Sequence, residues 1–351
     1  NQYGIDALKA YAYTLKKAER YEDAMEAFKE LGIEIGSPYE FKKDITACEI
    51  ALGWQEISRV EYRTEVADFN SGYSEYSPAL WKEDQLVFTS DRQTSQGSDT
   101  YYWTGNKFSD LYVADLNSGA VSAFDAPFNT ENNEGSLCFN NDFTEAYFVR
   151  CFGEKKEDNY CKIMYSALKN NTWSEPRVLE FVKDQVNYSG PWLSGDGKEL
   201  YFSSNDPDGW GGYDIWVSNR AEDGWWEDPQ PLSRNINTIG NERFPTLDGD
   251  TLYFSSDGHT GMGGLDIFRT YQLNNQRSWA PPFNLKPPVN SGGDDFGFVV
   301  YSNKADKEVL QSGFFTSTRY DGIGNDDIYR FEKVVLPPEP EPEVVEEVVA
   351  H

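Results

Sequence analysis

Carboxylates are the most abundant reactive groups in this 351-residue chain, with 59 Asp and Glu against 31 Lys and Arg. Two of them flanking a glycosidic bond suffice for hydrolysis, so a pair drawn from neighbouring segments is one chemistry within reach. Their distribution argues otherwise. The acids recur at turns, where an Asp side chain accepts hydrogen bonds from nearby backbone N–H groups. Histidine is scarce, with only His259 and His351. His259 lies in the glycine-rich run Asp257-Gly258-His259-Thr260-Gly261-Met262-Gly263-Gly264, without a nucleophile or metal ligand beside it, and reads as a solvated loop residue. There is no Gly-x-Ser-x-Gly elbow, no His-Glu-x-x-His pair and no Walker loop. The glycine-rich loops open no helix, so they do not cradle phosphate. Residues 205–209 and 321–326 are rich in oxygen ligands but lack the distal Glu of an EF-hand. No catalytic residue, metal or cofactor is expected.

Four cysteines, Cys48, Cys138, Cys151 and Cys161, form no Cys-x-x-Cys pair, which disfavours a zinc ribbon. The formal net charge of −28 excludes nucleic acid as a partner, because such binding rests on Lys and Arg releasing counterions. The same charge keeps the chain soluble or presents an acidic face to a basic partner. No apolar run is long enough for a transmembrane helix.

The positioning framework is an internal repeat. Leu200-Tyr201-Phe202-Ser203-Ser204 is echoed by Leu252-Tyr253-Phe254-Ser255-Ser256 and Leu86-Val87-Phe88-Thr89-Ser90, and more weakly around Phe148 and Phe315. These five phenylalanines stand 52 to 61 residues apart, room for one four-stranded propeller blade with long loops at each step. Asp-Gly turns such as Asp196-Gly197 precede the run, and a further strand follows it: Asp110-Leu111-Tyr112, Asp214-Ile215-Trp216, Asp266-Ile267-Phe268 and Asp327-Ile328-Tyr329. The second copy carries Lys162 in place of that Asp. A fourth strand pairs Trp with an apolar residue six positions on, as in Trp173 and Leu179, Trp226 and Leu232, Trp279 and Leu285. The last copy has none after it, but Trp54 and Val60 repeat the spacing near the N-terminus. The expectation is a ring closed by a strand starting at Trp54 and lying beside 327–331, which removes exposed sheet edges.

Ahead of the ring, residues 5–31 carry apolar residues at helical spacing, and a third helix is expected over 40–52. The set Leu8, Ala12, Leu15, Tyr21, Ala24 and Phe28 resembles a tetratricopeptide repeat; an ordinary helical hairpin shares its spacing. One such unit cannot bury its own apolar face, so it must pack on the ring or on another partner. The resulting reading is mainly β: a five-bladed β-propeller at 54–335, a small tetratricopeptide-like helical segment at 1–53, and a Pro/Glu-rich linker at 336–351.

The segment from Ser189 to Lys198, continuing to Gly211-Gly212-Tyr213-Asp214-Ile215-Trp216, resembles the TolB-type, WD-like propeller repeat. The Gly-Gly-x-Asp-Ile-aromatic ending and the helices ahead of the ring are similar to the periplasmic propeller proteins of the Bacteroidetes type 9 secretion system. That resemblance implies a non-enzymatic scaffold, periplasmic and associated with the outer membrane. Its partners would be other secretion or envelope proteins, with peptidoglycan held only through an OmpA-like domain outside these residues. A glycan-binding or glycan-cleaving propeller using channel carboxylates is the alternative.

Strand parity then divides the ring's loops. Short turns fall on one face; long loops and the connections between blades fall on the other, where binding residues concentrate. Candidate partner-binding residues there are Arg92, Glu134, Asn205, Asp206, Glu242, Arg243, Asp257, His259, Arg319 and Tyr320, with Arg and Tyr favoured at interfaces. Cys151 ends one strand and Cys161 opens its antiparallel neighbour, so the two face each other across a loop neck. An oxidising periplasm would let a disulfide between them persist.

Overall fold

The computed structural model describes residues 2–57, 61–96, 105–152, 160–273, 278–301 and 308–336. Val60 and the Pro/Glu-rich stretch from 337 onward lie outside these residues. Five antiparallel sheets follow one another around a ring. Blade 1 comprises Glu75–Trp81, Gln85–Ser90, Asp110–Asp115 and Val121–Ala123. Blade 2 comprises Asn133–Phe139, Glu145–Phe152 and Tyr160–Lys169, with an outer edge in two pieces, Thr172–Trp173 and Arg177–Val178. Blade 3 comprises Tyr188–Leu193, Glu199–Ser204, Asp214–Asn219 and Gln230–Pro231. Blade 4 comprises Glu242–Asp248, Thr251–Ser256 and Asp266–Leu273, edged by Ser278–Trp279 and Phe283–Asn284. Blade 5 comprises Asp295–Tyr301, Val309–Ser317 and Asp327–Val334, completed by Tyr62–Val66 from the chain's beginning. The protein is a five-bladed β-propeller.

The repeat phenylalanines Phe88, Phe148, Phe202, Phe254 and Phe315 are all fully buried between neighbouring blades. They sit on second strands whose alternate faces both meet another sheet, which is why these runs are apolar throughout. Cys151 and Cys161 are paired across the second and third strands of blade 2 and joined by a disulfide. Cys48 and Cys138 are free and buried.

The closing strand lies seven residues further along than the Trp spacing implies. Tyr62–Val66 pairs antiparallel with 329–333. Ala67 donates its N–H to Ile328 O at 2.9 Å, as Leu179, Leu232 and Leu285 donate to Ile163, Ile215 and Ile267 in other blades. Ala67, not Val60, is therefore the counterpart of those leucines. Trp54 belongs to a helix instead and packs among the helical core residues.

Three helices precede the ring: α1 (Gln2–Lys17), α2 (Tyr21–Glu34) and α3 (Lys42–Gln55). Ala12 and Ala24 are fully buried where α1 and α2 approach, and Phe28 stacks on Phe41 and meets Tyr13 edge to face. The helical core also includes Met262 from a blade 4 loop. Glu19 Oε1 accepts the N–H of Gly292 at 3.0 Å, and Lys43 Nζ donates to Asp257 O at 3.1 Å. The apolar face that the helices cannot bury alone is thus covered by the long loops around blades 4 and 5.

Candidate binding face of the ring

The first strand of each blade reaches the axis at a bulge. Each bulge carries a residue of positive φ: Ser77, Ser136, Gly190, Phe244 and Gly297. A bulge bends and twists the strand locally, which steers five strands past one another at the centre. Gly190 suits this place, since its φ is +55° and a Cβ would crowd Phe244 Cα at 3.1 Å. Where these residues converge the cavity is only about 30 Å³. That holds about one water and excludes a sugar ring.

Acids on this face, the expected Glu134 and Glu242 among them, are instead consumed in clamps where the chain enters blades 1, 2, 4 and 5. Glu75 accepts the Ser71 N–H, Ser71 Oγ and Ser90 Oγ, each at 2.7 Å, and Arg92 at 2.9 Å. Glu134 is buried and takes Thr130 and, at 2.7 Å, Arg150. Glu242 takes Thr238 and Ser256, and Asp295 takes Ser291, Ser317 and Arg319. One residue before Ser71, Thr130, Thr238 and Ser291, an asparagine amide bonds both the N–H and the C=O of the preceding blade's third strand. The pairs are Asn70 with Ile328, Asn129 with Leu111, Asn237 with Ile215 and Asn290 with Ile267. The repeated signature is Asn-[Ser/Thr]-x-x-x-[Glu/Asp], a pattern that sequence reading passed over. The third-strand aspartates Asp214, Asp266 and Asp327 likewise accept paired N–H groups from the loops before them.

These contacts correct most of the expected partner-binding residues. Arg92 and Arg319 turn inward, over Tyr112 and Tyr329, and neutralise Glu75 and Asp295. Glu134 and Glu242 are buried, while Asp206 lines a pocket in blade 3 and is covered there by Lys183 at 2.6 Å. Arg243 is half-buried over Tyr213 at 3.8 Å. Asn205 and Asp257 are exposed, but Asn205 Oδ1 accepts Asn187 N–H and Asp257 holds Asn241. His259 is no solvated loop residue: Nε2 lies 2.8 Å from Ile236 O, the ring packs on Phe254 and Phe268, and burial lowers its pKa. Tyr320 alone among them stays open, at 81 % exposure. Two further apolar side chains stand exposed on the same face, Ile239 and Ile323, whereas the part-exposed Trp210 donates its indole N–H to Leu232 O at 3.0 Å and carries Arg234 over its ring. Each sits in a Gly-rich loop or blade connection, where an unpaired apolar residue was the available signal.

No family model matches the sequence, and no curated protein matches it. Solved structures do. An α-L-arabinofuranosidase from Lactobacillus brevis matches with a TM-score of 0.50 at 12% identity, over 79% of this chain and 98% of that one. TolB from Acinetobacter baumannii matches with a TM-score of 0.39 at 15% identity, over 75% of this chain and 56% of TolB. The chain thus spans little more than half of TolB's length. A protein of unknown function from Dyadobacter fermentans gives 0.47 at 11% identity, over 74% of this chain and 76% of that one. What is shared is the propeller fold.

Burial has an electrostatic consequence. It raises Asp266 to about 7, and displaces Asp110, Asp214, Glu242 and Asp327 in the same direction. A carboxyl whose folded pKa exceeds its unfolded value binds its proton more tightly when folded. Its contribution is fully present below pH about 4 and is lost as pH rises through about 7. Thermal stability should therefore fall between pH 5 and 8. Asp266→Asn should flatten that fall, by on the order of 2–4 kcal/mol across the window. Melting curves on both proteins at half-unit pH steps check it; parallel pH profiles would contradict it.

Proposed function

We propose that this chain is a non-enzymatic scaffold that binds protein partners through the long-loop face of its ring. The observation that carries this reading is the character of that face: the acids entering blades 1, 2, 4 and 5 are spent in clamps, while Ile239, Tyr320 and Ile323 project from its loops. Loops on a rigid scaffold with exposed aromatic and aliphatic tips suit macromolecular contacts. The finer reading, drawn from the repeat resemblance and the helices ahead of the ring, is a periplasmic component of the type 9 secretion system similar to PorE. In that role the ring would hold secretion or envelope proteins near the outer membrane. An OmpA-like domain following the Pro/Glu-rich stretch would supply the peptidoglycan contact.

The glycosidase alternative needs two free carboxylates at a cavity that admits sugar. The axial cavity of about 30 Å³ and the hydrogen-bonded acids at the blade entries favour the scaffold over a catalytic site in the central channel. The test is product release from arabinan, aryl glycosides and peptidoglycan at substrate excess. No product above the protein-free control is expected. Turnover that survives repurification and disappears with a single Asp→Asn or Glu→Gln change would overturn the reading.

A further inference from the structure

Four blades fill one equivalent place with a nitrogen-bearing side chain of their own. In blade 1, Arg92 lies over Phe88 and Tyr112 at 5.3 and 5.0 Å. In blade 5, Arg319 lies over Phe315 and Tyr329 at 5.4 and 4.6 Å. In blade 2, Arg150 lies over Phe148 at 5.5 Å. In blade 4, the His259 ring packs 5.9 Å from Phe254 and 5.2 Å from Phe268. Three of these cations meet a first-strand carboxylate, and each of the four also meets a backbone carbonyl of the connection entering its blade: Phe69, Phe128, Val289 or Ile236. The geometry is that of a guanidinium held between an aromatic face and oxygen acceptors.

Blade 3 inverts the arrangement. Its aromatic pair is Phe202 and Trp216, directly opposed in register. The position two after the strand-ending serine, Arg in blades 1 and 5, is Asp206. The first-strand acid is replaced by Tyr188, and the Asn-[Ser/Thr] entry by Lys183-Asp184. Among the described residues no cation lies over Phe202 or Trp216. In its place is a pocket of about 490 Å³ lined by Phe181, Phe202, Trp216, Asp206, Asp208 and Asp228, with Lys183 at its edge. Trp216 is 5 % exposed, and its indole N–H has no hydrogen-bond partner among the described residues. A buried donor left unpaired costs free energy, so it marks where an acceptor is wanted. Departures from a repeat's local consistency gather at functional positions.

We infer that this blade 3 pocket receives an arginine side chain from a partner polypeptide, its guanidinium against Trp216 and its charge met by Asp206 and Asp208. The chain's own blades set the template for stacking. The three carboxylates against one lysine supply the charge complementarity. Lys183, half-exposed and 2.6 Å from Asp206, is the competitor that the arginine displaces. The inference rests on the protein-binding reading above and names the chemistry of one contact.

The test is titration of ¹⁵N-labelled protein with acetyl-Ala-Ala-Arg-Ala-Ala-amide, following the tryptophan indole N–H resonances. One resonance should move, and the same resonance should be absent in Trp216→Phe. The citrulline peptide, isosteric but uncharged, should bind at least about tenfold more weakly, and so should the arginine peptide to Asp206→Asn. Lys183→Ala should tighten binding by about three- to tenfold, which a purely structural lysine would not do. No movement up to about 20 mM peptide would overturn the inference, as would equal binding of the citrulline peptide. Movement produced by arabino-oligosaccharides and not by the arginine peptide would overturn it in favour of a glycan site. Tyr320 and Ile239 lie outside this pocket, so photocrosslinking of a partner through them tests the scaffold reading separately, and failure of the pocket would leave that reading standing.

Discussion

Asp295→Ala is expected to destabilise the ring by about 3–5 kcal/mol, the range for removing one partner of a buried ion pair. Asp295 is fully buried and accepts Ser291 N–H and Oγ at 2.6 and 2.9 Å, Ser317 Oγ at 2.6 Å, and Arg319 at 3.0 Å. Alanine removes the acceptor shared by all of these donors. Arg319 keeps the carbonyls of Pro288 and Val289 but loses its counter-charge while its side chain is only 11% exposed. Asp295→Asn retains an oxygen and should recover part of the loss. The exposed Asp321→Ala, on the neighbouring loop, should stay within about 0.5 kcal/mol of the parent protein. Urea unfolding of the three variants decides it. Equal midpoints for Asp295→Ala and Asp321→Ala would show that the clamp does not hold blade 5.

Two truncations should separate the helices from the closure of the ring. Removing residues 1–57 exposes Met262 and frees the Gly292 N–H, yet leaves every blade complete. That protein should remain folded, with a lowered but still cooperative melting transition. Removing residues 1–67 also takes away Tyr62–Val66, the fourth strand of blade 5. Tyr62 then no longer packs on Phe298 and Phe331, and the whole edge of Asp327–Val334 faces solvent. An exposed edge invites pairing with other chains. The longer truncation should aggregate or unfold without a cooperative transition. Equivalent melting of the two would mean that the N-terminal strand is not what closes the ring.

The blades were legible because a second strand buried on both faces must be apolar throughout, and Leu200-Tyr201-Phe202 or Leu252-Tyr253-Phe254 has few other uses. The division into a short-turn face and a long-loop face followed from parity alone. The closing strand was displaced for a particular reason. A Trp six residues before an apolar residue marks an outer strand in blades 2, 3 and 4, but the same spacing falls by chance on Trp54, whose indole the helical core takes. The true counterpart, Ala67, carries a side chain too small to announce itself. The candidate binding arginines were misread because interface propensity ignores local partners. Ser90 and Ser317, two residues before Arg92 and Arg319, already draw each arginine inward. The Asn-[Ser/Thr]-x-x-x-[Glu/Asp] repeat held the rest of that information, since a recurrent acid four residues after a recurrent hydroxyl is a clamp before it is a site. Its loss at Lys183, Asp184 and Tyr188 also marks where blade 3 differs.

The scaffold reading turns on which face of the ring meets another protein in the cell. Site-specific photocrosslinking answers this directly. A benzoylphenylalanine is placed at Tyr320 or Ile239 on the long-loop face, or at the exposed Asp250 in a short turn on the opposite face. Irradiation of living cells should give discrete, reproducible protein adducts from Tyr320 and Ile239, and none from Asp250. Adducts arising only from Asp250, or no adducts from any of the three positions at normal expression, would contradict the account.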